Sequence, residues 1–360
     1  MPLRLARSSR VLAMAVAAIG GPAALAVPAS AAARRSLHRA PRSLTLNWVG
    51  DISFSTQRGL PAGGPVTALA SVDRSLRSAN LVMGNLEGQL SSGGPSKCGS
   101  GAGGGNCFAF QAPPAFARGL RGAGFDLMNL ANNHALDFGP AGQAQTITAL
   151  SSAGIAHAGL PGEITLRRVH GLRVAVLGFA PYPWASPLLD LRAAGAQVRR
   201  ARRRADVVMV VIHAGAEGAN QAHTPHGEEF AFGENRGHAR AFAHAAINAG
   251  ASIVVGSGPH VLRGIERYRR RLIAYSLGNF AGPNTLGLGG VLSLTAILHV
   301  RLAAGGRVLG GRLIPLVLEP PGLPHPDSSG AAVGLVRTLS REDFGARRFP
   351  LVGRGTIRPG

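Results

Sequence analysis

Short apolar runs alternate along the chain with longer stretches in which apolar residues recur at helical spacing. The short runs predict strands and the longer stretches predict amphipathic helices. The predicted strands are Leu44–Val49, Leu81–Met83, Phe125–Leu130, Val174–Phe179, Val207–Ile212, Ser252–Val255 and Leu272–Tyr275. The predicted helices are Pro65–Ser78, Pro114–Gly122, Ala141–Ser152 and His238–Asn248. This alternation indicates an α/β protein in which helices are layered on sheets.

The alternation of predicted strands and helices stops near the end of the apolar pattern. Val291–Val300 and Val308–Leu318 predict consecutive strands of a hairpin, joined by the turn sequence Ala303-Ala304-Gly305-Gly306. Pro320-Pro321-Gly322 then punctuates the chain. We therefore predict one domain over residues 44–320 and a polar C-terminal tail over residues 321–360.

Composition changes this picture mainly through charge. The 360 residues are 46% hydrophobic and 15% charged, which is enough for a sizeable core and too little charge for a disordered chain. Lys+Arg outnumber Asp+Glu by 38 to 17, and Lys97 is the only lysine, so we expect acidic partners or surfaces. The runs Arg199–Arg204 and Arg267–Arg271 are solvated faces or hold a polyanion. Only Tyr268 stands among them, so the pattern disfavours nucleic-acid binding.

The N-terminus has the order of a secretory signal peptide. Arg4, Arg7 and Arg10 precede an apolar run from Val11 to Val27, and the small residues Ala29-Ser30-Ala31 follow. We predict a signal peptide over residues 1–31, cleavage after Ala31, a linker over residues 32–43, and an extracytoplasmic protein that is secreted or associated with the cell envelope. A retained anchor is the alternative, although the apolar run is shorter than the roughly 20 residues that a spanning helix needs.

The two cysteines, Cys98 and Cys107, lie at either end of a glycine-rich stretch. In an oxidising compartment we expect them to form one disulfide, and two free thiols are the alternative.

Polar residues that can bind a metal follow the predicted strands. In an open α/β sheet, groups beyond the carboxyl ends of the strands meet in one crevice, so we expect these side chains to converge. They are Asp51, Glu87, Asn133, His134, His213 and His260. Carboxylates together with imidazoles suit Mn, Fe or Zn, as one ion or two, with a neighbouring histidine left free as a general acid. Singly, Asp51 could cap a helix, Asn132-Asn133 could form an Asx-turn, and either His213 or His260 could be a core histidine.

Six blocks carry a family resemblance over roughly residues 44–285. They are Gly50-Asp51, Asn85-Leu86-Glu87, the run from Asn129 to Gly139, His213-x-Gly215-x-Glu217, Pro259-His260-Val261 and Tyr275-Ser276-Leu277-Gly278-Asn279-Phe280. In order and spacing, the chain resembles the CapA family of capsule and poly-γ-glutamate synthesis proteins. The resemblance implies a calcineurin-like metallophosphoesterase fold, which is a layered α/β/β/α sandwich.

The resemblance also implies roles for individual residues. The implied metal ligands are Asp51, Glu87, Asn133, His213 and His260, with Glu87 the better candidate for a bridge between two ions. His134 resembles the general acid of related phosphoesterases, and Asp137 would orient His134 or a loop. Glu217 occupies a family position without an assigned role, and Tyr275–Phe280 is implied to pack at the base of the site.

Two departures from the family pattern leave two functions open. Ser53 stands where related phosphoesterases carry a histidine, and Gly258 stands where CapA proteins commonly carry the first histidine of His-Pro-His. The first hypothesis is an exported metal-dependent hydrolase-like protein that acts on an anionic polymer such as poly-γ-glutamate in capsule synthesis, anchoring or release. The second is a non-catalytic capsule-assembly component with a degenerate metal site, whose arginines bind the polymer. Either one predicts an anionic polymer or acidic envelope component, and capsule-synthesis proteins, as partners. On this pattern Gly258→His would add a metal ligand.

Overall fold

The structure is a computed structural model that describes residues 42–99, 107–346 and 350–360. The predicted signal peptide over residues 1–31 therefore lies outside the described residues, as does the predicted linker up to residue 41. The strands are β1 (Ser43–Ile52), β2 (Leu81–Leu86), β3 (Gln89–Leu90), β4 (Gln111–Ala112), β5 (Leu127–Asn129), β6 (Ala156–Ala158), β7 (Thr165–Val169), β8 (Leu172–Ala180), β9 (Ser186–Pro187), β10 (Val207–His213), β11 (Glu229–Ala231), β12 (Glu234–Gly237), β13 (Ile253–Ser257), β14 (Ile265–Tyr268), β15 (Arg271–Ala274), β16 (Asn279–Ala281), β17 (Leu294–Ala303), β18 (Val308–Glu319), β19 (Leu323–Pro326), β20 (Leu351–Val352) and β21 (Thr356–Ile357). The α-helices are α1 (Gly64–Ala68), α2 (Asp73–Leu76), α3 (Phe116–Gly122), α4 (Gly139–Ser152), α5 (Leu191–Arg202), α6 (Ala239–Ala249) and α7 (Ala331–Phe344).

Most of these strands form two large sheets. The first runs in the order β20-β21-β18-β17-β1-β2-β5-β6, with β16 beside β1 and β19 beside β18. The second runs β14-β15-β13-β10-β8-β7, with β9 beside β8. The strands β1, β2, β5 and β6 are parallel to one another, and so are β8, β10, β13 and β15. Both sheets therefore have parallel centres whose carboxyl ends can carry a site.

Three apolar layers hold the sheets and helices together. One cluster of buried side chains joins the two sheets and includes Trp48 of β1 and Met209 of β10. A second cluster packs α3 and α4 on the outer face of the first sheet, and a third packs α5 and α6 on the outer face of the second sheet. The layering confirms the predicted α/β/β/α sandwich.

The end of the domain differs from the prediction. Residues after Pro320 do not form a tail outside the core, because α7 buries Ala332 and Val336 in the cluster between the sheets. Leu351 and Ile357 join the same cluster from β20 and β21. The proline and glycine punctuation marks a turn into another packed segment, so the predicted boundary at residue 320 is wrong.

Two predicted local features also change. The predicted helix Pro65–Ser78 is split into α1 and α2 by a 3-10 turn at Ala70–Val72, where serine and valine are weak helix formers. The run Arg199–Arg204 is partly the last turn of α5, a helix that the apolar pattern did not predict. Its buried face consists of alanines, a glycine, Gln197 and Val198, so it carries little apolar signal. No helix within the described ranges is long and apolar enough to span a membrane.

Candidate metal centre

The carboxyl ends of both sheets meet at one buried group of polar side chains. Asp51 lies near the end of β1, Glu87 follows β2, and His213 is the last residue of β10. One ligand atom from each of these three residues lies within 4.8 Å of the other two. Asp51 and Glu87 are 0% exposed and His213 is 1% exposed. The strand order therefore delivers two carboxylates and an imidazole to one place, as the sequence predicted.

The hydrogen bonding of this group fits a cation. Both carboxylate oxygens of Glu87 and the Nε2 atom of His213 are buried without a hydrogen-bond partner among the described residues. Buried polar atoms of this kind are costly unless a partner satisfies them. Two carboxylates and an imidazole are donors that Mn, Fe or Zn accepts. The side chains present therefore fit a divalent metal ion.

The pKa directions of His213 and Asp51 agree with this use, because a ligating imidazole is neutral and a ligating carboxylate is ionised. Burial lowers the pKa of His213 to about 3 against the opposing charge of Asp51, so its ring is neutral near pH 7 and can donate a lone pair. Burial and the adjacent Asp51 carboxylate raise the pKa of Glu87 well above its ordinary value. Burial alone would also raise the pKa of Asp51, but hydrogen bonding and charge from His260 outweigh it and lower that pKa.

His260 contacts the same carboxylates from the loop after β13. Its Nδ1 lies 3.2 Å from Asp51 Oδ2 and 2.8 Å from Asn279 Oδ1, and its Nε2 lies 3.7 Å from both Glu87 Oε1 and Glu217 Oε2. Burial works to lower the pKa of His260, but Glu87 and Asp51 outweigh it and raise the pKa well above its ordinary value. The predicted ligand His260 is therefore at the centre, where it forms ion pairs with the carboxylates.

Asn133 and His134 lie in the loop after β5, where the His134 ring is near enough to contribute to the lowered pKa of His213. The Oδ1 atom of Asn133 is buried and has no hydrogen-bond partner in the described part of the chain. His134 Nδ1 lies 2.8 Å from Asp137 Oδ2. Because an ionised carboxylate only accepts, Nδ1 is the donor and Nε2 remains for a second partner. Burial lowers the pKa of His134 even though Asp137 opposes the shift.

A chain of hydrogen-bonded, buried asparagine amides orients Asp51. These asparagines belong to the sequence motifs, but no role at the site was predicted for them. Asn85 Nδ2 donates to Asp51 Oδ1 at 2.8 Å and lies 3.4 Å from His213 Nδ1. Asn85 Oδ1 in turn accepts from Asn129 Nδ2 at 2.8 Å and from Asn132 Nδ2 at 3.2 Å. The sequence signal for this role was an asparagine inside each of two apolar strand segments, since such a residue needs a buried partner.

A second missed group adjoins Glu217. Arg236 is 3% exposed, and its Nη1 lies 2.7 Å from Glu217 Oε1. Its Nε lies 3.1 Å from Glu234 Oε2, an oxygen that also accepts from Tyr182 OH at 2.7 Å. The Tyr182 ring stacks on Trp184, whose indole nitrogen donates to Asn132 O at 2.9 Å. Through His260 and Arg236, Glu217 thus links the metal group, by which we mean Asp51, Glu87 and His213, to the aromatic pair. Neither the arginine nor the aromatic pair was predicted to be at the site.

The two departures from the family pattern lie next to the centre. Ser53 is buried, and its hydroxyl has no hydrogen-bond partner among the residues that the structure describes. Gly258 has φ 113°, and a Cβ placed there would lie 3.3 Å from His213 Nε2 and 3.1 Å from the Ala214 nitrogen. The backbone therefore disfavours a side chain at residue 258. This contradicts the expectation that Gly258→His simply adds a ligand.

The predicted disulfide is present. Cys98 and Cys107 are bonded to each other, and no free cysteine remains. The described cysteines flank a loop whose residues 100–106 lie outside the described ranges.

The protein is an α/β/β/α sandwich with an Asp-Glu-His group at its strand ends, which is the arrangement that the family resemblance implied. The model of the family described as bacterial capsule synthesis protein PGA_cap matches residues 45–284. The chain belongs to this family, which confirms the resemblance found in the sequence.

The chain is similar to two curated capsule proteins over part of its length. It is 34% identical over 184 residues to capsule biosynthesis protein CapA of Bacillus anthracis, which covers 45% of this chain and 41% of that protein. It is 31% identical over 178 residues to PGA biosynthesis protein CapA of Bacillus subtilis, which covers 45% of this chain and 43% of that protein. The matched regions therefore span less than half of either relative.

Among solved structures, the chain is similar to a putative 5′-nucleotidase from Staphylococcus aureus. The TM-score is 0.43 at 14% sequence identity, with 82% of this chain and 58% of that chain covered.

Proposed function

We propose that this chain is an exported, metal-dependent hydrolase-like protein that acts on an anionic capsule polymer of the poly-γ-glutamate type during its synthesis, anchoring or release. The observation that carries the proposal is the buried convergence of Asp51, Glu87 and His213, in which both oxygens of Glu87 and the Nε2 atom of His213 have no hydrogen-bond partner within the described ranges. Family membership supports the capsule role. The order of the N-terminal segment supports export.

The side chains divide the work between holding the ion and handling a proton. Asp51, Glu87 and His213 would hold a divalent ion, with His260 and Asn133 as further ligands. Such an ion supplies Lewis-acid chemistry, because it polarises a phosphoryl or carbonyl oxygen. His134 is held through Nδ1 by Asp137, which leaves Nε2 to exchange a proton with the substrate.

Metal content and hydrolysis of purified protein test the proposal. After loading with Mn, Fe or Zn and matched dialysis, elemental analysis should find metal in the wild type and little in Asp51→Ala or His213→Ala. His223→Ala is the matched control, because His223 has a 61% exposed side chain paired with Asp343 and Glu342. Hydrolysis of phosphodiester and γ-glutamyl substrates should follow the metal content. Equal metal content in all four proteins would refute the proposed centre.

One observation favours a second function, which is polymer binding without catalysis. Arg271 of the second arginine run lies near Arg202 of the first, and Arg267 lies near Arg358. We call these four arginines the basic edge. The pKa of Arg267 is lowered by burial and by the charge of Arg358, and the pKa of Arg271 is lowered by burial and by the charge of Arg202. Like charges gathered in this way attract a polyanion. Polymer binding by a protein that holds metal but hydrolyses neither substrate class would favour this function.

A further inference from the structure

The disulfide is flanked by two chain segments that hold the same buried carboxylate. Lys97 directly precedes Cys98, and Phe110 lies three residues after Cys107. Lys97 Nζ lies 2.7 Å from Asp137 Oδ1, and the Phe110 nitrogen donates to Asp137 Oδ2 at 2.7 Å. The Lys97 nitrogen also donates to the backbone oxygen of Asp137 at 2.7 Å. Both segments therefore contact the same residue, Asp137.

That residue is the partner of His134. Asp137 is 0% exposed, and its Oδ2 lies 2.8 Å from His134 Nδ1. The Phe110 ring lies against the His134 ring with 4.6 Å between the centroids. A buried carboxylate needs donors on its remaining lone pairs, and here both donors other than His134 come from the segments beside the disulfide.

We propose that the Cys98–Cys107 disulfide is a clamp for the His134–Asp137 pair, and that Lys97 and Phe110 are positioning residues for His134. Without the bond, only the connection over residues 99–106 would join the two segments, and keeping its ends close together would cost conformational entropy. With the bond, the charge of Lys97 and the Phe110 N–H stay on Asp137, which in turn fixes the His134 ring. A catalytic consequence rests on the proposed function, whereas the clamp itself does not.

The test compares the double variant Cys98→Ser/Cys107→Ser with the wild type by NMR. In ¹⁵N-histidine-labelled protein, the hydrogen-bonded Nδ1–H of His134 should give a downfield proton resonance, assigned by its loss in His134→Gln. We expect the double variant to lose or broaden this resonance. We also expect hydrogen exchange at the Phe110 amide to become at least about 10-fold faster, since the amide is no longer held on Asp137.

Lys97 supplies a second test that keeps the disulfide intact. Lys97→Met should weaken the same resonance, and Lys97→Arg should restore it, because a guanidinium can still pair with Asp137. If the protein hydrolyses a polymer, the double variant and Lys97→Met should lower kcat about 10-fold with little change in KM, as expected for a mispositioned proton-transfer group.

Two results would overturn the clamp. One is a double variant that is less stable but keeps the downfield resonance and the slow exchange of the Phe110 amide, which would make the disulfide only a loop constraint. The other is an unchanged resonance in Lys97→Met. Neither readout requires turnover, so a failure of the proposed hydrolase function would leave the clamp open to confirmation.

Discussion

At the scale of single residues, the amides around Asp51 make contacts that a sequence pattern does not reveal. Asn85 uses its donor for Asp51 and its acceptor for Asn129 and Asn132, so one side chain couples three strand ends. The sequence predicted that Asp51, Glu87 and His213 converge, because acids and histidines follow apolar strands. It could not predict the amide chain or the place of Arg236, because these depend on which strands become neighbours.

His134→Gln separates proton transfer from metal binding. The amide keeps the size of the side chain but cannot exchange a proton, so turnover of a hydrolysed substrate should fall by roughly 10²–10⁴-fold. Metal content should stay near that of the wild type, because His134 Nδ1 is directed to Asp137. Steady-state kinetics and elemental analysis on the same preparation measure both. Metal loss equal to that of Asp51→Ala would make His134 a ligand instead.

Gly258→Ala tests whether the glycine is required by the backbone. An alanine there would have to adopt φ 113° with its Cβ 3.3 Å from His213 Nε2. We expect the free energy of unfolding to fall by about 1–3 kcal/mol, the usual cost of such a strained conformation. Metal retained after dialysis should fall too, because His213 is displaced.

Gly227→Ala is the control for this change, since a Cβ at residue 227 meets nothing within 4 Å. Chemical denaturation and elemental analysis compare the two variants. A Gly258→Ala protein as stable and as rich in metal as Gly227→Ala would show that the site tolerates a side chain, and would restore the expectation for Gly258→His.

At the scale of elements, the strands and helices that the sequence predicted are those with a clear pattern of apolar residues. The parallel strands β8, β10 and β13 are buried on both faces, and their continuous apolar runs identified them. The helix α5 packs through alanines, glycine and glutamine, so its arginines dominated the pattern. The helix α7 follows a proline- and glycine-rich segment that resembled the end of a domain. Its buried face became evident only from the sheets that it covers.

Asp327 provides an element-scale prediction, because its carboxylate accepts hydrogen bonds from the backbone N–H groups at the start of α7. It accepts from the backbone nitrogens of Ser329, Gly330 and Ala332 at 2.9 to 3.0 Å. Asp327→Ala should lower the free energy of unfolding by about 1 kcal/mol, the usual value of such a cap. Asp73→Ala, which removes an exposed i,i+4 pair with Arg77, should cost less.

The contribution of Asp327 should also depend on pH. Burial works to raise its pKa, but hydrogen bonds from Ser329, Ala332 and Gly330 outweigh it and hold the pKa below the ordinary 3.8. A carboxyl whose folded-state pKa is depressed stabilises the protein fully above its unfolded pKa and loses that effect as pH falls through the folded pKa. The stability difference between wild type and Asp327→Ala should therefore be constant near pH 7 and shrink below about pH 4. Denaturation curves at several pH values measure it, and a difference that persists at low pH would contradict the role of the ionised carboxylate.

At the scale of the whole molecule, the second sheet separates the metal group from the arginines. His213 ends β10, whereas the run Arg199–Arg204 precedes the start of the same strand. Seven residues of strand span about 20 Å. Arg271 begins β15, which is parallel to β13, so it lies at the same end of the sheet as the start of β10. A long anionic chain could therefore contact the basic edge while another part of it reaches the metal group.

The last prediction tests this arrangement with a triple variant of the basic edge. Arg202→Gln/Arg267→Gln/Arg271→Gln should weaken binding of poly-γ-glutamate by about 10-fold or more at low salt and reduce the salt dependence of the affinity, since exposed charges are screened over about 10 Å at 0.1 M salt. Metal content should not change, because these residues lie at the other end of β10 and β13. The control, Arg74→Gln/Arg118→Gln/Arg192→Gln, removes the same charge from exposed positions on α2, α3 and α5. Isothermal titration calorimetry at several salt concentrations compares the three proteins. Equal loss of affinity in both variants would show that net charge alone attracts the polymer, whereas loss confined to the first would place its binding on the basic edge.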